Sequence, residues 1–223
     1  MTLAEPDAAS ILSAPQNRQM PMPMARWTLQ YKLFKRLCDI VFGTVAIPAI
    51  LIVAAALLVL NPMLNRGPLF FRQERIGLWG QPFMIWKFRT MTHSEVVSRA
   101  HDAPLELERI TRLGRFLRLT RIDELPNFLN VLAGDMALVG PRPDAANHAA
   151  HYARTVPFYR DRFRVRPGIT GLAQVRNGYA ESADAVRRKA RLDRYYVNRS
   201  SGRVDVYIIL ATLGVMLFGT GAK

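Results

Sequence analysis

From Ile40 to Leu60 the chain runs 21 residues, IVFGTVAIPAILIVAAALLVL, without a single charge. No other feature restricts the fold as much. As a straight helix, that length matches a hydrocarbon core of roughly 30 Å. The run does not read as a cleaved signal peptide, because 39 residues precede it and no small-residue cleavage site follows. The alternative is a buried helix of a soluble protein, and the length and uniformity of the run speak against it. Both flanks are basic: Lys32, Lys35 and Arg36 come before the run, and Arg66, Arg72 and Arg75 after it. Positive flanks prefer the cytoplasmic side, so a straight span would put one cluster on the wrong face. A segment that enters and leaves by the same face removes the conflict. Pro48 lies inside the run and can kink it. Carbonyls freed by the kink then need donors from protein, since lipid offers none. A re-entrant helical hairpin is therefore expected ahead of a straight span.

The charge balance points to a surface of the opposite sign. The chain carries 31 Lys and Arg against 17 Asp and Glu, a net +14 with a pI near 10.8. Such a protein works against something anionic: nucleic acid, phospholipid headgroups or a phosphorylated substrate. With 223 residues, half of them apolar, it can bury one core with an appendage, which excludes disorder throughout. The lone cysteine, Cys38, excludes a disulfide framework and a Cys-based zinc site, and indicates a reducing compartment. Residues 1–30 are rich in Pro, Ala and Met without a sustained period. They read as a mobile tail that meets the membrane surface near Trp27. Val206–Phe218 is apolar but too short to span, and it follows Arg199 and Arg203. An interfacial or buried helix fits it best.

Between these apolar segments lies a polar body. Leu69–Ile76 and Phe83–Thr90, separated by Gly77-Leu-Trp-Gly80, read as a β-hairpin. Lys87 and Arg89 alternate with Trp86 and Phe88, so both cations are expected on one sheet face. Residues 105–121 read as one or two basic helices interrupted at Gly114. Their arginines, at 109, 112, 115, 118 and 121, walk around a 3.6-residue period, so most should be solvated or face headgroups. Leu125, Phe128, Leu129 and Leu132 follow helical spacing, with Gly134 as the stop. Pro126 fits only in the first turn. That puts Asp123-Glu124 at a helix N-terminus, where a carboxylate is favoured either as a plain N-cap or as part of an anion-handling site. Arg142, between Pro141 and Pro143, has a backbone fixed at low entropic cost, and a fixed guanidinium suits bidentate phosphate binding. Arg166-Pro-Gly-Ile-Thr-Gly171 is expected to be a turn with glycine at positive φ. A carboxylate pair, several placed cations (Lys87, Arg89, Arg142, Arg166) and a membrane anchor together suit a phosphate-bearing substrate.

The ordered motifs Lys35-Arg36…Asp39, Trp86-Lys-Phe-Arg-Thr-Met91, Asp123-Glu-Leu-Pro126, Gly134-Asp-Met136, Val139-Gly-Pro-Arg-Pro143 and Arg166-Pro-Gly-Ile-Thr-Gly-Leu-Ala-Gln174 resemble the bacterial sugar transferases. More narrowly, the chain is similar to the small monotopic polyprenyl-phosphate phosphoglycosyl transferases, over residues 31–218. The resemblance implies transfer of a sugar 1-phosphate from a nucleotide diphosphate sugar, such as a UDP-sugar, to polyprenyl (undecaprenyl) phosphate. A nucleoside monophosphate leaves, and the step opens exopolysaccharide, capsule or glycoconjugate synthesis. It implies Mg²⁺ held by Asp123 and Glu124, with Asp123 as the nucleophile of a covalent phospho-sugar intermediate and Glu124 as its partner in metal or proton handling. Arg118, Arg142 and Lys87 would then hold phosphates. The implied fold is α+β and membrane-associated: a re-entrant hairpin over 31–64, a compact, mostly helical catalytic domain over 65–205 with a small β-hairpin and interfacial amphipathic helices, and a C-terminal interfacial helix over 206–223. It implies the inner membrane with the domain on the cytoplasmic face, contact with its lipid, and no nucleic acid partner, and it leaves a homodimer open.

Two departures from the family pattern stand out. The family hairpin usually breaks at a Ser-Pro pair near its middle, whereas Pro48 here follows Ile47 and lies early in the run. Members often carry Gly-Arg-Asn after the Ala-Gln motif, whereas this chain reads Gln174-Val-Arg-Asn-Gly178. The bend and the sugar therefore do not transfer. Charge alone would also suit a nucleic-acid module, but no recognition motif of the usual kinds is present. A phosphatidyltransferase would need aspartates along several membrane helices. A non-catalytic, basic, membrane-anchored binding protein is the remaining alternative, and the intact Asp-Glu pair argues against it.

Overall fold

The computed structural model describes residues 27–92, 107–177 and 182–218. All but the last four positions of the expected tail lie outside them. The uncharged run is the middle of one 36-residue helix, α1, Leu29–Leu64, which starts where the Thr28 hydroxyl accepts from the Tyr31 N–H at 3.2 Å. The helix continues through Pro48 and Pro62. Its buried positions, Tyr31, Lys35, Asp39, Gly43, Ile50, Leu57 and Asn61, fall four or seven apart, which marks a single stripe. Away from that stripe, Leu37, Val45, Ile52, Leu58, Val59 and Met63 are exposed.

The stripe corrects the reading of the basic flank. Lys35 is not a surface charge. Its ammonium is buried, 2.9 Å from Asp205 Oδ2, and donates to the Val139 carbonyl at 2.7 Å and to the Tyr196 hydroxyl at 3.2 Å. Tyr31 and Tyr196 donate to the same carboxylate. Arg36 donates to the carbonyls of Val131 and Leu132, and Asp39 Oδ1 accepts the Leu138 N–H at 2.7 Å. A buried charge is stable only when paired and hydrogen-bonded in this way.

The hairpin forms as expected. β1, Phe70–Ile76, and β2, Pro82–Phe88, pair antiparallel from Phe70↔Phe88 to Ile76↔Pro82, with Trp79 and Gly80 at positive φ in the connection. α2, Arg112–Leu119, is capped by Thr111 and is not interrupted at Gly114. That glycine is buried against β2's continuation: a Cβ there would lie 1.9 Å from the Thr90 carbonyl oxygen. α3 spans Asn127–Ala133 and ends at Gly134 with φ 93°. Its buried side chains are Asn127, Asn130 and Val131 rather than the four apolar positions of the pattern, and Leu129 is exposed.

β3, Ala137–Val139, pairs in parallel with β4, Gly168–Thr170. Gly168 and Gly171 do not have positive φ, which corrects the turn expectation. They are needed for contact instead: a Cβ on Gly168 would sit 2.1 Å from the Gly140 nitrogen, and one on Gly171 2.2 Å from the Gly140 oxygen. α4, Ala146–Thr155, a 3-10 segment over Tyr159–Arg164, and α5, Leu172–Asn177, lead to α6, Ala183–Arg199. α7, Gly202–Phe218, begins four residues before the apolar run. It buries Ile208 against Val139, Tyr196 and Val197 while Leu210 and Leu213 stay exposed.

Candidate active site

Asp123 and Glu124 lie in a short 3-10 turn, Ile122–Glu124, between α2 and α3, rather than in the first turn of α3. The turn opens on Arg121 at φ 59°, and Pro126 immediately precedes α3. Asn130 fixes α3 to the hairpin. Its amide donates to the Met84 carbonyl at 2.8 Å, and its oxygen accepts the Trp86 N–H at 3.1 Å. The dyad is thereby held against β2, one residue away from Trp86 at Lys87.

Glu124 is fully engaged. Lys87 Nζ lies 2.7 Å from Oε1, the Arg142 guanidinium takes both oxygens, at 3.0 Å on Oε2, and Arg121 stands 3.8 Å away. Burial alone would raise this carboxyl, but Arg142 and Lys87 hold it well below the usual carboxylate range. Asp123 is the opposite case. It is 7 % exposed, and its buried Oδ1 accepts no hydrogen bond. Desolvation raises its carboxyl, against the pull of Lys87, Arg118 and Arg142. The simple capping role is therefore not what the structure shows, since neither the 3-10 turn nor α3 carries a side-chain cap.

Of the five expected phosphate ligands, Lys87, Arg118 and Arg142 gather at the dyad. Arg118 is aimed by its Nε bond to Thr90 Oγ1 at 2.9 Å. Arg89 does not join them, which corrects its assignment. It is buried beyond the strand end and donates to the carbonyls of Pro68, Arg66 and Asn65, closing the C-terminus of α1. Asn65 returns a bond to the Arg89 carbonyl at 2.8 Å. Arg166 is exposed and, among the described residues, bonds to neither member of the dyad.

Arg75, a flanking charge by sequence, lies on the same sheet face as Lys87, because Phe71 opposes Lys87 and Arg75 is four residues on. Strand alternation carried that signal. Asp144, two residues after Arg142, is met by Arg162 of the 3-10 segment and Lys189 of α6, and nothing in the spacing of the three links them.

Magnesium can be tested against these donors. Mg²⁺ commonly takes one or two carboxylates, keeping water and substrate phosphate for the rest. The orphaned Asp123 Oδ1 fits that role. Glu124 does not, because Lys87 and Arg142 occupy both its oxygens. Among the described residues no group of three or more His, Cys, Asp or Glu side chains converges.

The sequence model of the family described as bacterial sugar transferase matches residues 30–219. A UDP-N-acetylgalactosamine-undecaprenyl-phosphate N-acetylgalactosaminephosphotransferase of Aeromonas hydrophila is 42 % identical over 193 residues, 86 % of this chain and 46 % of that protein. A UDP-glucose:undecaprenyl-phosphate glucose-1-phosphate transferase of Klebsiella pneumoniae is 38 % identical, covering 81 % of this chain and 39 % of its own length. Its namesake from Caulobacter vibrioides is 39 % identical, covering 88 % and 73 %. The chain thus spans less than half of the first two relatives and about three quarters of the third. With the motifs in order and the dyad built as described, the chain belongs to the bacterial sugar transferase family.

Proposed function

We propose that this chain transfers a sugar 1-phosphate from a UDP-sugar to undecaprenyl phosphate at the cytoplasmic face of the inner membrane, releasing UMP as the first membrane step of a polysaccharide or glycoconjugate. The observation that carries the reading is the contrast within the dyad: Asp123 Oδ1 is buried and unpartnered beside a Glu124 neutralised by Lys87 and Arg142. A carboxylate without hydrogen bonds is a better nucleophile than one whose lone pairs are occupied. Lys87, Arg118, Arg121 and Arg142 outnumber the two carboxylates, and that surplus suits a diphosphate.

In this reading an Asp123 oxygen attacks the phosphorus that bears the sugar. The bond to the UMP oxygen breaks, and UMP leaves with the electron pair. An oxygen of the polyprenyl phosphate then attacks the same phosphorus, and Asp123 leaves as a free carboxylate. Glu124 holds Arg142 and Lys87 in place until the diphosphate competes for them. Mg²⁺, held through Asp123 and the substrate phosphates, would add charge neutralisation at the diphosphate. The relatives' names differ in their sugar, so the proposal covers UDP-sugars as a class.

The test is incubation with a UDP-sugar labelled in the sugar, without polyprenyl phosphate. The parent should retain label and release one UMP per site, and Asp123→Asn, folded as judged by its melting curve, should do neither. Ordinary turnover in Asp123→Asn would remove the covalent route, whereas a parent that binds UDP-sugar in a titration yet releases no UMP with undecaprenyl phosphate present would favour the binding-protein alternative.

A further inference from the structure

The segment that carries Arg142 belongs to no helix or sheet, and two of its residues are prolines without an N–H. Its carbonyls are therefore its main handles, and four in a row are taken by donors from three elements: β1, β4 and the 3-10 segment. Pro141 O accepts from Gly168 N at 3.0 Å, and Asp144 O from Ile76 N at 3.3 Å. Pro143 O accepts from Arg75 at 3.2 Å. Arg142 O accepts from Arg162 Nη2.

Arg162 is the donor that reaches the substrate-binding residue itself. It is 4 % exposed and lies over the Tyr159 ring at 4.9 Å. Its two Nη atoms divide their work: Nη1 pairs with Asp144, while Nη2 serves both the Arg142 carbonyl and Asp193, the latter at 3.3 Å. Asp144 is in turn held by Lys189 at 2.6 and 2.8 Å and by the Tyr159 hydroxyl at 2.6 Å. A planar fork can bridge a carboxylate and a carbonyl at once, whereas an ammonium is a single point.

We propose that Arg162 is a positioning residue for recognition of the diphosphate, acting through the main chain of Arg142, with Asp144 as its anchor. The proposal rests on the transferase reading above. A guanidinium displaced by about 1 Å aligns a phosphate poorly, and such errors cost rate or affinity out of proportion to their size. Arg142 touches phosphate in both the bound substrate and the transition state, so loosening its mount should act mainly on KM.

The experiment is a double-mutant cycle on the full chain in detergent, with kcat and KM for the UDP-sugar read from UMP release in the presence of undecaprenyl phosphate. Arg162→Lys should raise KM about tenfold and leave kcat within about twofold. In an Arg142→Lys background the same change should alter KM by less than about twofold, because the residue it acts through is already lost. An unchanged KM in Arg162→Lys, or the same tenfold effect in both backgrounds, overturns the proposal, since a merely structural role would add independently. If Arg162→Lys does not accumulate as folded protein, Tyr159→Phe, which removes one bond to Asp144, goes through the same cycle with the same criteria. Absence of UMP release from the parent chain overturns the transferase reading and the proposal with it. Failure confined to the cycle overturns the proposal alone.

Discussion

Two adjacent carboxyls are driven in opposite directions by what surrounds them. Glu124 receives Lys87 and Arg142 directly and stays ionised far into acid. Asp123 has lost water without gaining a partner, so its carboxyl lies above the ordinary 3.8. The acid limb of kcat/KM should therefore fall above the range of a free aspartate, with activity lost as pH drops through it. Lys87 is the strongest of the cations that lower Asp123. Lys87→Gln should accordingly move that limb to higher pH as well as reduce the rate, and a pH–rate profile of the two proteins checks the direction. A limb that stays put or moves down would mean that another group titrates. The pair itself was legible as residues 123 and 124, but its division of labour was not. An N-cap and an unpartnered acid share the same local sequence, and only Trp86, Asn130 and Arg142, brought in from other segments, decide between them.

Among the elements, the hairpin was read almost to the residue because alternation and the Gly77–Gly80 connection are local signals. The β3–β4 pair was not. Each strand has three residues, and their pairing joins segments about thirty positions apart through glycine contacts that leave no periodic trace. By local sequence Gly114 and Gly168 mark a helix break and a turn, the usual local meanings of glycine, whereas in the fold both let backbones touch. This gives a sharp test. Gly168→Ala must push β3 and β4 apart and should cost roughly 1–3 kcal/mol or more, as overpacked sites do, lowering the melting temperature and raising KM through the displaced Arg142. Gly214→Ala, a helical site with nothing within 4 Å of the added Cβ, is the control. It should be neutral, or more stable by up to about 1 kcal/mol.

At the scale of the whole molecule, α1 is fastened at both ends to one body. Lys35, Arg36 and Asp39 fasten the first half, and the Asn65–Arg89 exchange fastens the end. Cysteines at Lys32 and Arg72, both exposed positions, in a Cys38→Ala background should thus behave alike. An impermeant maleimide should label neither in intact cells and both in inverted vesicles. Labelling of one alone from outside would establish a straight span. The fastening also sets an order in time. Lys35 and its counter-ion Asp205 are separated by 170 positions. At translation rates of about 5–20 residues per second, the lysine waits roughly 10–30 s before its partner exists. Until then its ammonium has no Asp205 to pair with, and an unpaired charge is stable only in water. The contact that ties α1 to α7 therefore closes only after α7 has been made, so the first helix of the fold is also among the last to be locked to it.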